Sequence, residues 1–224
     1  MNIRHKIIVS NDIIKLFSTN KDKSKEYERR VNDIINLSKD VFLEKFKYNE
    51  KQSRGECDYV GLASGKKYDA KIPFESKQIR LLTDGKLQSP QIIKWLKQLS
   101  DETSDFSPLK LREDPNYSVT STKLYKIMRE QLLNDKPDED IIYFIPFPIV
   151  IYFADGTQFL NQASNYLNII YETMKNENIL LNRKIYVILP SSEKNIWTLV
   201  DLEKRIVEFI EYSNLEEYIS YEMM

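Results

Sequence analysis

The fold is decided by the stretch Glu56–Lys71, which reads ECDYVGLASGKKYDAK. Two short runs in and just beyond it, Tyr59 to Leu62 and Lys67 to Ile72, are rich in residues that favour β-strands. The Ser64-Gly65 pair between them is a typical turn sequence. The stretch therefore predicts a β-hairpin, around which the other elements of the chain are organised.

The predicted turn sets which side chains of the hairpin share a face. A two-residue loop at Ser64-Gly65 places Asp58 opposite Lys71 and Val60 opposite Asp69. Side chains alternate between the two faces of a sheet, so Asp58, Asp69 and Lys71 are expected on one face. A register slip of one residue would separate them. The turn thus predicts a cluster of two carboxylates and one ammonium group.

This combination of groups indicates chemistry on phosphate. Two carboxylates side by side supply the hard oxygen ligands that Mg²⁺ prefers, and Mg²⁺ keeps several waters when it is bound. Such a metal polarises a phosphodiester and lowers the pKa of a bound water. A neighbouring lysine can position that water or offset charge that develops on the phosphate. The alternative is a surface hairpin with solvated charges, because 30% of the residues are charged.

The pattern of Asp58, ten residues and then Asp69-Ala70-Lys71 resembles the active site of the PD-(D/E)xK nucleases, the restriction-endonuclease-like superfamily. The resemblance implies a mixed α/β core and Mg²⁺-dependent cleavage of nucleic acid, with Mn²⁺ as a substitute. It implies that Asp58 and Asp69 are metal ligands and that Lys71 orients the attacking water. Cys57 stands where the superfamily has a proline. Glu75-Ser76-Lys77 and Asp84-Gly85-Lys86 also match the triplet, but neither lies in a strand-like run.

A glutamate on the first predicted helix is a further candidate for the site. An apolar stripe at helical spacing predicts a helix from Ser24 to about Phe46, with Ser24 as its N-cap. Glu28 borders the buried side of this helix. In many members of the resembled superfamily a glutamate on the first helix points at the metal, which implies the same role for Glu28. The alternative is that Glu28 pairs with a nearby arginine.

A basic row lies on another predicted helix, which runs from Thr120 to Leu133. Lys123, Lys126 and Arg129 follow one another at intervals of three residues and make one side of this helix basic. Such a row can lie along a phosphate backbone, so we expect these residues to bind nucleic acid. A solvated charged face is the alternative.

Composition excludes several classes of protein. The formal net charge is −1, so any attraction to nucleic acid has to come from a local basic cleft. A single cysteine, Cys57, excludes an intramolecular disulfide and a multi-cysteine zinc site, and a single histidine, His5, argues against a histidine-based site. No glycine-rich phosphate loop is present. The longest apolar run, Ile141 to Phe153, is too short to span a bilayer as a helix, so we expect a cytoplasmic protein without membrane contact.

The order of predicted elements indicates fold class α/β, with a mixed central β-sheet flanked by helices and a restriction-endonuclease-like core. We expect a single nuclease-like domain over residues 1–224, with residues 75–140 as a helical and loop insertion. Towards the C-terminus, helices are predicted over Thr157 to Asn176, Asp201 to about Tyr212, and Leu215 to Met224.

Together these features predict a Mg²⁺-dependent endodeoxyribonuclease of the restriction type, in which metal-activated water hydrolyses DNA directly. By analogy with restriction enzymes, a subunit of 224 residues is expected to form a homodimer that cuts both strands. The alternative is a non-catalytic nucleic-acid-binding or protein-interaction subunit with a nuclease-like fold. Metal dependence separates these two hypotheses.

Overall fold

The computed structural model describes residues 5–10, 23–50, 56–73, 110–112, 120, 123–145, 150–153, 156–158, 163–190, 195–212 and 218–223. Within these ranges the chain forms three helices: α1 Lys23–Leu37, α2 Lys123–Leu133 and α3 Ala163–Asn176. The strands there are β1 His5–Ser10, β2 Phe46–Tyr48, β3 Tyr59–Gly61, β4 Lys67–Lys71, β5 Lys110–Arg112, β6 Asp140–Phe144, β7 Val150–Phe153, β8 Gly156–Gln158, β9 Ile185–Pro190, β10 Ile196–Asp201, β11 Ile206–Glu211 and β12 Tyr218–Met223.

The largest sheet in the described part of the chain has seven strands in the order β11-β10-β9-β6-β4-β3-β2. Strands β2, β3 and β4 form an antiparallel meander, and so do β9, β10 and β11. The three strands β4, β6 and β9 run parallel to one another. Strands β1 and β12 pair in a small sheet, and β5, β7 and β8 form another. The predicted α/β class with a mixed sheet is therefore confirmed.

The central strands explain the most apolar part of the sequence. Every residue of β6 is buried, as are Ile185–Leu189 of β9. Strands inside a parallel region are covered on both faces, so they are apolar along their length rather than at alternate positions. Apolar residues of all three helices pack with these strands in one core cluster. At one end of this core the rings of Phe144 and Trp197 stack with centroids 5.4 Å apart.

The first helix is shorter than predicted. It ends at Leu37 rather than near Phe46, which lies in strand β2 instead. Glu208 of β11 causes this early end, because its carboxylate accepts hydrogen bonds from the backbone N–H groups of residues 39–41 and from the Ser38 hydroxyl. These contacts bring together residues far apart in the chain, so local periodicity could not predict them.

Three predictions near the C-terminus are wrong. Residues 201–212 form the turn and second strand of the β10–β11 hairpin rather than a helix. The Asp201 Oδ1 atom accepts hydrogen bonds from the N–H groups of Glu203 and Lys204, both at 2.9 Å. The same contacts are typical of a helix N-cap, which is why the sequence suggested one. Residues 218–223 form strand β12, and the predicted helix at Thr157 begins only at Ala163 because β8 precedes it.

The predicted insertion at residues 75–140 falls largely on residues 74–109, 113–119 and 121–122, which lie outside the described residues. The described part of that segment is residues 110–112, 120 and 123–140, which include β5, α2, the loop after α2 and the first residue of β6. The two alternative acid-lysine triplets also lie outside the described residues. The expectation of a single domain over residues 1–224 stays a prediction.

Candidate active site

The β3–β4 hairpin has a different register from the predicted one. Tyr59 pairs with Tyr68 and Val60 with Lys67, so the predicted two-residue loop is wrong. The connection contains four residues, 62–65, and is closed by a hydrogen bond from the Gly61 N–H to the Lys66 carbonyl at 2.9 Å. This register is shifted by two residues from the expected one. Because side chains alternate with period two, a shift of two keeps the same residues on the same face.

The longer loop is stabilised by a carboxylate that precedes β2. Glu44 accepts hydrogen bonds from the N–H groups of Ala63 and Ser64, both at 3.0 Å, and from the Ser64 hydroxyl at 2.7 Å. Gly65 adopts a φ of 68°, a conformation that favours glycine. The wider turn is thus held by local contacts, and the hairpin register is fixed.

The observed register brings the two predicted acids alongside each other. Asp58 precedes β3, and its N–H group donates to the Tyr68 carbonyl at 3.0 Å, which aligns Asp58 with Asp69 on the next strand. The Asp58 side chain is buried, and its Oδ2 atom accepts a hydrogen bond of 2.6 Å from the Ala70 N–H. The prediction that Asp58 and Asp69 share a face is therefore confirmed, although the register behind it was wrong.

The environment of Asp58 favours its protonated form. The pKa of Asp58 is raised to about 8, first by burial and then by a hydrogen bond with the Asp69 carboxyl group and by the negative charge of Asp69. The Glu28 charge also contributes, whereas the hydrogen bond from the Ala70 N–H acts in the opposite direction. Burial is therefore the main reason that the charged form of Asp58 is disfavoured. The raised pKa therefore favours the protonated form of Asp58 at neutral pH.

Lys71 joins the cluster as predicted and has two acidic partners. Its Nζ atom lies 2.6 Å from Asp69 Oδ2 and 3.1 Å from Asp135 Oδ2. Burial lowers the pKa of Lys71, but the charges and hydrogen bonds of Asp69 and Asp135 raise it above its ordinary value. Lys71 is therefore a cation at neutral pH, and its ammonium group lies between Asp69 of β4 and Asp135 of the loop that follows α2.

Glu28 lies next to the cluster with its carboxylate bound to a tyrosine. Its side chain is buried, and Oε2 accepts a hydrogen bond of 2.8 Å from the Tyr48 hydroxyl. Tyr59 donates to the Glu28 backbone carbonyl at 2.8 Å, and Tyr27 donates to the Ala70 carbonyl at 3.3 Å. These tyrosines fix helix α1 against β3 and β4. Because the Glu28 charge raises the pKa of Asp58, Glu28 belongs to the same electrostatic site.

The side chains present fit a magnesium ion bound by few protein ligands. Among the described residues no group of three or more His, Cys, Asp and Glu side chains is arranged to hold a metal. Mg²⁺ commonly binds through one or two carboxylates and completes its coordination with water and substrate phosphate. Asp58 and Asp69 supply two such carboxylates, which the hairpin register places side by side. The donor set therefore suits Mg²⁺ or Mn²⁺.

The predicted basic row lies on helix α2. Lys126 and Arg129 are exposed on α2, whereas the side chain of Lys123 is outside the described part of the chain. Arg129 forms an ion pair with Glu177, in which Nε and Oε2 are 3.3 Å apart. Because Arg129 is paired with Glu177, this side of α2 fits the alternative of a solvated charged face better than that of a phosphate-binding row.

Two residues at the site were not found from the sequence. Asp135 contacts Lys71, and Tyr48 contacts Glu28. Both contacts join elements that are distant in the chain, and neither residue belongs to a motif. The carboxyl end of α2 is also attached to β4, because the Gln131 side chain donates to the Ile72 carbonyl at 2.9 Å. Only the folded arrangement reveals these partners.

Comparison with protein-family models, curated proteins and solved structures gave no match. In the part of the chain that the structure describes, no helix combines the length and the apolar character needed to cross a membrane.

Proposed function

We propose that this chain is a Mg²⁺-dependent nuclease that cleaves DNA, with Asp58, Asp69 and Lys71 at its active site. The observation that carries the proposal is the contact between buried Asp58, directly before β3, and partly exposed Asp69 of β4, with the pKa of Asp58 raised to about 8 and an ammonium group 2.6 Å from Asp69. A carboxyl group with a strongly shifted pKa beside a specific charged partner is typical of functional sites.

The order of elements around the pair supports the same proposal. Helix α1 precedes the antiparallel β2-β3-β4 meander, and the acids lie on its second and third strands or directly before them. Helix α2 then lies on the connection to β6, which runs parallel to β4. The restriction-endonuclease-like superfamily, which the sequence resembles, has a core of a first helix, a meander that carries the acids, a crossover helix and further strands. A restriction-endonuclease-like core is therefore part of the proposal.

Each side chain at the site has a distinct role in the proposed reaction. Asp58 and Asp69 would hold Mg²⁺, and Mn²⁺ would substitute for it. When bound, the ion supplies positive charge that polarises a phosphodiester and acidifies water. The Lys71 ammonium orients the attacking water and offsets negative charge that develops on the phosphate. Glu28, held by Tyr48, adds negative charge on the α1 side of the site. The water oxygen would attack phosphorus directly while the bond from phosphorus to one bridging oxygen of the DNA backbone breaks, and that oxygen would leave as a hydroxyl group with a proton from the water, without a covalent enzyme intermediate.

The partner in this proposal is DNA, cut by a restriction-type endonuclease that acts as a homodimer in the cytoplasm. Lys126 is exposed and is the member of the basic row that best suits a phosphate contact. A nuclease-like subunit that binds without cutting is the second candidate. It is favoured by the ion pair of Arg129 with Glu177 and by the small number of acids at the site in the described residues.

A cleavage assay separates the two candidates. Purified protein is incubated with plasmid DNA, with and without Mg²⁺, beside the Asp69→Ala variant. Asp138→Ala is the matched control, because Asp138 is an exposed aspartate with no role in the site. We expect cleavage that needs Mg²⁺, is lost in Asp69→Ala and persists in Asp138→Ala. No cleavage of methylated, unmethylated or single-stranded DNA by the wild type would favour the non-catalytic candidate, and normal cleavage by Asp69→Ala would refute the site.

A further inference from the structure

Lys71 is held by two carboxylates that come from different elements. Asp69 lies two residues earlier on β4, whereas Asp135 lies in the loop after α2. The proposed function, on which this inference rests, engages Asp69 with a metal ion. A cation at Asp69 repels the neighbouring ammonium group and competes with it for the same carboxylate. Once the metal is bound, Asp135 is therefore the carboxylate that is left to hold the Lys71 ammonium.

The loop that carries Asp135 is held in place on both sides of that residue. Buried Arg183 donates to the Leu132 carbonyl at 2.8 Å and to the Lys136 carbonyl at 3.3 Å. The Asp135 N–H group donates to the Leu132 carbonyl at 3.4 Å. Gln131 attaches the preceding turn of α2 to the end of β4. The Asp135 carboxylate is thus presented to Lys71 by a loop with several fixed contacts rather than by a loose surface segment.

We propose that Asp135 is a positioning residue that keeps the Lys71 ammonium at the site when Asp69 binds the metal ion. Asp135 touches neither the proposed metal nor the substrate and acts only through Lys71. Without it, the ammonium remains paired with Asp69, where it opposes metal binding and points away from the attacking water.

The first test is a double-mutant cycle on stability, which needs no activity. Unfolding by urea is measured for the wild type, Lys71→Met, Asp135→Asn and the double variant, in metal-free buffer. We expect a coupling that changes the unfolding equilibrium constant about tenfold, as is typical of a partly buried ion pair. A cycle with no coupling would overturn the inference, whatever the protein does with DNA.

The second test measures the role of Asp135 in the proposed reaction. At saturating Mg²⁺ and DNA, Asp135→Asn is expected to lower kcat at least tenfold, and the double variant is expected to be no slower than Lys71→Met alone. Asp135→Asn is also expected to weaken binding of Mn²⁺ in calorimetry, about tenfold, because the Lys71 ammonium then stays on Asp69 and competes with the ion for that carboxylate. Asp135→Glu, which keeps the charge, should restore most of both losses. Asp138→Asn, an equal change of charge at an exposed position nearby, should leave both unchanged.

The outcomes separate this inference from the proposed function. Wild-type protein that binds Mn²⁺ and cuts DNA, with Asp135→Asn equal to Asp138→Asn in kcat, overturns the positioning role alone. Additive losses of kcat in the double variant do the same, because a merely structural role would add to the loss at Lys71. Wild-type protein that neither binds Mn²⁺ nor cuts DNA overturns the proposed function together with the positioning role of Asp135, even if the stability coupling is present.

Discussion

Replacing Asp58 by asparagine should stabilise the metal-free protein at alkaline pH. The asparagine Oδ1 atom can still accept the hydrogen bond from the Ala70 N–H, so the change removes the charge and little else. The wild-type carboxyl group has a pKa of about 8 in the folded protein, against about 4 in an unfolded chain. The folded state therefore binds the proton more tightly, and its stability falls as the pH rises from about 4 to about 8.

The size of this effect follows from the interval between the two pKa values. The stability of the wild type decreases from pH 5 up to the folded-state pKa of about 8, which is about three pH units. Each unit corresponds to about 1.4 kcal/mol, so the free energy of unfolding at pH 9 is lower than at pH 5 by on the order of 4 kcal/mol. Asp58→Asn does not undergo this loss. We expect the two proteins to have similar stability at pH 5 and the variant to be more stable by several kcal/mol at pH 9.

Urea unfolding in buffer with a chelator measures this difference. Circular dichroism and tryptophan fluorescence follow the transition, since Trp197 is buried in the core. Groups that titrate equally in both proteins cancel in the comparison. Asp138→Asn serves as the control for an equal change of charge at an exposed position. A gap between Asp58→Asn and the wild type that is the same at pH 5 and pH 9 would refute the raised pKa of Asp58 and the electrostatic description of the site.

Three further changes test the contacts that hold the fold, each by urea unfolding. Glu208→Gln should cost about 2–3 kcal/mol at pH 7, because it weakens four hydrogen bonds to a charged acceptor. Since those bonds lower the pKa of Glu208, the cost should shrink as the pH falls below about 4; an unchanged cost at pH 3 would contradict this. Gly61→Ala should cost about 1 kcal/mol, because the new Cβ would lie 2.6 Å from the Glu44 carboxylate, and the cost should vanish in a Glu44→Ala background. Arg183→Lys should cost about 2–4 kcal/mol, because lysine cannot replace a planar donor group that binds four carbonyls; wild-type stability would show that these contacts are dispensable.

The sequence could predict that Asp58 and Asp69 share a face, because that prediction depends only on the alternation of side chains along the strands. The expected turn was two residues too short, which moved the partner of Asp58 from Lys71 to Asp69. A register shift of two residues changes every cross-strand pair but leaves each side chain on the same face of the sheet. The two aspartates therefore lie on one face in both registers. The turn length itself depends on Glu44, which lies outside the hairpin and accepts hydrogen bonds from two of its N–H groups.

The errors in the prediction occur where distant residues decide the local conformation. Helix α1 ends early because of Glu208, which is separated from it by most of the chain. The pattern after Asp201 fits a helix or a hairpin equally well, since Ile206 and Ile210 share a face in both, and pairing with β10 decides between them. The role of Asp135 depends on how α2 packs beside β4. Periodicity carries no information on any of these contacts.

Calorimetric titration of Mn²⁺ into the metal-free protein at pH 7 tests the central claim most directly. If Asp58 and Asp69 form the metal site, the wild type binds Mn²⁺ and releases a proton, because the proton on Asp58 must leave before the ion binds. Titration in buffers with different heats of ionisation measures that release. Asp69→Asn should lose the binding, and Asp138→Asn should keep it. Equal binding of Mn²⁺ by Asp69→Asn and the wild type, or no binding by the wild type, would contradict the proposed site.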